Sequence, residues 1–93
     1  MKHAGADALE RLEPFLKDIR KRDGLKEKSR GTFYRSGRAF LHFHEHGDDE
    51  LFADIRLSGE DFDRLPASTL AQRKTLLRLI DAALTDGKTK VRR

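Results

Sequence analysis

The chain has 93 residues, enough for one domain near the lower end of what folds without staples. It has no cysteine, which excludes disulfides, thiolate metal sites and cysteine nucleophiles. No apolar run approaches the roughly 20 residues of a membrane span, and the N-terminal MKHAGADALE lacks the apolar region of a signal peptide.

These features predict a soluble, cytoplasmic protein without membrane association. The net charge of +4 equals Lys88, Lys90, Arg92 and Arg93 together, so residues 1–87, with 16 basic and 16 acidic groups, are neutral. Within them charge is segregated: residues 17–38 have nine basic and three acidic groups, and residues 45–63 have one basic and eight acidic. Such a dipolar surface can steer a polyanion to one end or bring two copies together.

In chain order, Leu9, Leu12, Phe15, Leu16 and Ile19 recur at helical spacing behind Asp7, a suitable N-cap. Pro14 removes a backbone donor, so a kink or a fresh start near Glu13 is expected, with the helix ending near Arg22 before Gly24. Lys17, Arg20, Lys21 and Arg22 complement the helix dipole there. Residues 24–31 (GLKEKSRG) read as a basic connector. Lys28, Ser29, Arg30 and Gly31 could cradle a phosphate, but without Walker spacing a solvated loop is the better reading.

Residues 32–57 organise the chain as three short antiparallel strands, cut by Ser36-Gly37 and Gly47-Asp48-Asp49. Period-two alternation puts Tyr34, Ala39, Leu41, Phe43, Leu51, Ala53, Ile55 and Leu57 on a core face. Aligning the apolar sets places Phe43 opposite Ala53, Leu41 opposite Ile55, His42 opposite Asp54, Tyr34 opposite Ala39 and Phe33 opposite Phe40. The other face then carries Phe33, Phe40 and Phe52 among Arg35, Arg38, His42, His44, Asp54 and Arg56, with His46 exposed at the turn.

An acidic linker, SGEDFDRLPAS, follows, with Phe62 and Leu65 tucked under a core edge, and Thr69 with Gln72 fits a capping box. Leu70, Leu76, Leu77, Ile80, Ala83 and Leu84 form the stripe of a helix running to about Thr85, stopped by Gly87. The expected fold is therefore a single small α+β domain, α-β-β-β-α, with a three-stranded antiparallel meander and both helices on one face. Its folded core spans about 7–87 of the domain 1–93, and residues 88–93 form a disordered basic tail.

The second sheet face is the candidate working surface. Three phenylalanines, each able to bury roughly 150–250 Å², make a patch of the size that monomers use for partners. A second copy or another protein packing sheet on sheet ranks ahead of single-stranded nucleic acid stacking on the rings, because the domain is neutral and lacks the aromatic-glycine signature of sheet-based RNA readers. His42, His44 and Asp54 could begin a metal site. Such sites normally need a third or fourth ligand and supporting groups, however, and Arg35, Arg38 and Arg56 repel a cation, so no metal or other cofactor is assigned. His42 with Asp54 reads instead as a cross-strand polar pair. No serine or threonine nucleophile is placed beside them, so no catalytic residue is assigned and an interaction module is preferred to an enzyme.

The run GTFYRSGRAFLHFHEHGDDELFADIRL followed by EDFDRLPASTLAQRKTLL resembles small uncharacterised bacterial proteins. In those, a glycine-led Phe-Tyr strand, an AFLHFHE strand and an LFADIRL strand precede a C-terminal helix. The similarity covers roughly residues 28–84 and implies a bacterial, cytoplasmic protein without implying any chemistry.

Overall fold

The computed structural model describes the chain except Asp48, Gly59, Arg92 and Arg93; of residues 86–91 it describes the backbone alone. The elements are β1 (Lys2–His3), α1 (Ala6–Arg20), β2 (Lys26–Ser29), β3 (Thr32–Arg35), β4 (Arg38–His46), β5 (Glu50–Ile55), β6 (Asp63–Pro66) and α2 (Leu70–Val91). The α+β class and the antiparallel sheet agree with the sequence reading, but the sheet has six strands rather than three. Its order is β2-β3-β4-β5-β6, with β1 also paired to β4. Strand β3 lines only the first part of β4, and β1 takes the same edge further along, pairing Lys2 with Glu45 and His3 with His44.

The long hairpin forms as the hydrophobic pattern requires. Leu41 faces Ile55, His42 faces Asp54 and Phe43 faces Ala53. Leu41, Phe43, Leu51, Ala53 and Ile55 join Leu12, Phe15, Leu16 and Ile19 of α1 and Leu76 and Ile80 of α2 in one buried cluster. Phe15 meets Phe43 edge-on at 5.9 Å between ring centres.

The other hairpin departs from simple alternation. Phe33 pairs with Leu41 and Tyr34 with Ala39, so Phe40 is an extra residue, a bulge. A one-residue slip exchanges faces, and here it does so locally: Phe33 joins Leu41 on the core face, and Tyr34 and Ala39 move to the opposite one. Phe33 and Phe40 are 1% and 2% exposed and belong to the core cluster. Their placement on the open face is therefore corrected. Burying each ring contributes about 1.5–3 kcal/mol, against about 1 kcal/mol for a disturbed ladder bond, so the bulge is the favourable solution. Ser36 and Gly37 both have positive φ, 52° and 83°, which closes this hairpin in the sense matching strand twist.

Helix α1 starts after Gly5 rather than at Asp7 and runs through Pro14 without a break. Pro14 lies on the exposed side, where the carbonyl it leaves unbonded can meet water. The 24–31 connector contains strand β2. Its Glu27, opposite Phe33, accepts hydrogen bonds from Arg20. The acidic linker contains β6, an edge strand ending at Pro66, a position where proline is tolerated.

The capping box is present: Gln72 N donates to Thr69 Oγ1 at 3.1 Å, and Thr69 N donates to Gln72 Oε1 at 3.0 Å. Helix α2 continues through Gly87 to Val91, so residues 88–91 are helical rather than tail, while Arg92 and Arg93 lie outside the described residues. Among the described residues no helix is long and apolar enough to cross a membrane.

Candidate metal centre on the open sheet face

Opposite the helices, the sheet aligns two rows of side chains. One row crosses three strands as His42, Asp54 and Arg64. The next crosses four, as His3, His44, Phe52 and Pro66. Two-residue spacing on β4 and direct pairing between β1 and β4 thus bring three imidazoles together. One ring nitrogen from each of His3, His42 and His44 lies within 4.8 Å of the other two. His3 stacks on His44 at 4.6 Å between ring centres, and His42 meets His44 edge-on at 5.0 Å.

Asp54 organises this group. Its carboxylate accepts two hydrogen bonds from Arg64, from Nε at 2.7 Å and from Nη2 at 2.8 Å. Oδ2 also lies 3.0 Å from His44 Nε2 and 3.4 Å from His42 Nε2. Arg64 holds the Asp54 carboxyl below its ordinary range against the opposing effect of burial, with His44 and His42 adding to the lowering. Asp54 is therefore an ionised carboxylate set against both His44 and His42. On the other side of the same ring, His44 Nδ1 is buried without a hydrogen-bond partner. Burial also lowers the pKa of His42; Asp54 opposes the shift and His44, His3 and Arg64 reinforce it, which favours the neutral ring. Neutral imidazole is the form that ligates metals.

A ligating histidine commonly turns its other ring nitrogen to a carboxylate, and here Asp54 stands 3.0 Å from His44 Nε2. A tetrahedral ion with Zn–N near 2.0–2.1 Å needs nitrogens about 3.4 Å apart. Closing the group onto an ion thus takes an inward movement of about 1 Å, and His3, which is exposed, has room to make it.

The arginines that counted against a cation are occupied or turned away. Arg56 donates from Nε to Ala39 O at 2.8 Å and from Nη1 to Glu60 O at 2.5 Å, and it stacks over Phe62 at 4.3 Å. Phe62 also meets His42 edge-on at 4.9 Å, so this ring borders the histidines and is not among the side chains packed on the core. Arg35 lies over Phe40, 5.9 Å from its ring centre, and pairs across the strand with Arg38 at the far end of the hairpin.

Of the residues assigned from sequence to the open face, His42, His44, Phe52 and Asp54 come together, while Phe33 and Phe40 do not. Sequence reading missed His3 and Arg64. A Lys-His pair near a terminus has no period to reveal a strand, and Arg64 becomes visible only once DRLP is recognised as pairing with β5. Lys28 and Arg30, weighed as a phosphate cradle, are engaged elsewhere: Lys28 over Tyr34 at 4.2 Å, and Arg30 with Glu10 and Glu13.

No protein-family model, curated protein or solved structure matches this chain.

Proposed function

We propose that this domain is a metal-binding module that holds a divalent first-row transition ion, zinc being the simplest choice, between His3, His42 and His44. The convergence of three imidazoles carries the reading. His3 adds a ligand that the sequence reading did not bring to this face, and Asp54 with Arg64 supports the histidines from behind. Imidazole suits zinc, copper, nickel and iron better than the hard cations magnesium and calcium, which prefer oxygen. The site lies on an open face with room for a further ligand, and the domain acts as an interaction module rather than an enzyme. This reading is favoured over nucleic-acid stacking because two of the three rings needed for a stacking platform are buried.

Calorimetric titration of Zn²⁺ into the metal-free chain tests it. The expected result is one ion per chain, with binding lost in His44→Ala and strongly weakened in His3→Ala, while Mg²⁺ gives no heat. Equal zinc affinity in the wild type and in both variants would overturn the assignment.

A further inference from the structure

At the β2 edge of the sheet, away from the histidines, a cleft of about 410 Å³ opens between the start of β2 and the Ser36-Gly37 turn. We infer that this cleft is a second binding site, for a small phosphomonoester whose phosphate lies between Lys26 and Lys28 and whose organic part rests on Leu25 and Tyr34. The site shares no residue with the histidine cluster and does not depend on the metal reading.

The backbone of β2 sets the two lysines. Lys26 pairs directly with Tyr34, but the register slips between Glu27 and Ser29, which leaves Lys28 as the extra residue of a bulge. Bulges re-aim side chains beside functional sites, and here Lys28 turns onto the Tyr34 ring, 4.2 Å from its centre. Lys26, Lys28 and Tyr34 therefore line one cleft. Glu27 lies between the lysines in sequence but pairs with Phe33, on the core side. Its carboxylate is taken by Arg20 and by Gly31 N. No carboxylate lines the cleft, and neither lysine has an ion-pair partner among the described residues.

Charge and shape select the ligand class. Two ammonium groups sharing one space without a counterion repel each other. Each has three N–H donors, and contact with a ring face uses only part of that capacity in Lys28. A phosphomonoester brings nearly two negative charges at neutral pH and three acceptor oxygens, which answers two lysines better than a carboxylate does. The cleft volume falls within the roughly 300–1,000 Å³ of small-molecule sites, more than a bare phosphate fills. Leu25 and Tyr34, both half-buried, supply an apolar wall for the rest of the ligand. Arg35 and Arg38 face each other beside the same turn. Like charges so placed destabilise a hairpin, and an anion bound nearby offsets them.

Amide ¹H–¹⁵N spectra of the chain, stripped of metal on a chelating resin, test the inference with phenyl phosphate, inorganic phosphate and benzoate as probes. The expected result for phenyl phosphate is saturable shifts centred on Leu25, Lys26, Lys28, Tyr34 and Gly37. Inorganic phosphate, without a ring, and benzoate, with a single charge, should each bind about 10-fold more weakly. Lys26→Ala and Lys28→Ala, substitutions at exposed positions, should each weaken phenyl phosphate about 10-fold. Lys17→Ala, an exposed lysine outside the cleft, should leave it unchanged. Shifts that never saturate, or an affinity that both cleft variants retain, overturn the site. Inorganic phosphate binding as tightly as phenyl phosphate overturns the role of the apolar wall, and benzoate doing so overturns the choice of phosphate. Because the chain is metal-free throughout, failure here leaves the three-histidine site standing, and failure to bind zinc leaves this one.

Discussion

Asp54 sits where the two rows of the open face meet, and its three neighbours, Arg64, His42 and His44, define what it can do. Arg64 keeps it ionised, and the carboxylate lies 3.0 Å from His44 Nε2, turning that ring's other nitrogen away from it. Asp54→Asn preserves size but removes the charge set against Arg64 and the two histidines. It leaves Arg64 as an uncompensated cation beside the site. Zinc affinity should therefore fall about 10–100-fold, read by calorimetry, with the chain still folded by circular dichroism. Wild-type affinity in this variant would mean that the carboxylate does not support the histidines.

At the scale of elements, α1 is fastened to β2 and the following turn by an arginine–glutamate network. Arg20 bridges Glu13 and Glu27, and Arg30 bridges Glu10 and Glu13. Hydrogen bonds from Arg20 and then Arg30 hold the Glu13 carboxyl at about 2, against an ordinary value of 4.5. A depressed carboxyl pKa stabilises the fold above the unfolded value, and that contribution disappears as pH falls through the folded one. The wild type should thus exceed Glu13→Gln in urea midpoint at pH 6. The gap should narrow between pH 4.5 and pH 2 and vanish below. A gap independent of pH would mean that the network does not hold Glu13 in solution.

The elements also mark how far the sequence could be read. The β4–β5 hairpin was legible because strict alternation from Leu41 to Ile55 admits one register. The bulge at Phe40 was not, since the pattern is equally regular on either side of it and only burial of Phe33 and Phe40 decides between them. Strands β1, β2 and β6 are short and polar, and they form because a paired neighbour offers free backbone groups rather than from any propensity of their own. Half of the candidate site was therefore visible as His42, His44 and Asp54, and the other half arrives on those borrowed strands.

For the whole molecule, the consequence is a division of labour between the two sides of one sheet. Both helices and nearly all large apolar side chains are spent on one side. The other side is left with three imidazoles, an ionised carboxylate and a few half-buried rings. That side depends on β1, whose attachment includes Ala4 N donating to Phe43 O at 3.1 Å and Gly5 N donating to Glu45 Oε2 at 2.6 Å. A metal ion bridging His3 to β4 would fasten the N-terminus to the centre of the sheet.

The most direct measurement is long-range ¹H–¹⁵N correlation of the four histidine rings during a Zn²⁺ titration of dilute chain. The account predicts that His3, His42 and His44 move together to the shifts of metal-bound imidazole at one equivalent. His44 should bind through Nδ1 and keep its Nε2 proton toward Asp54. Ring signals of His3, His42 and His44 that stay unchanged while zinc is added would contradict it.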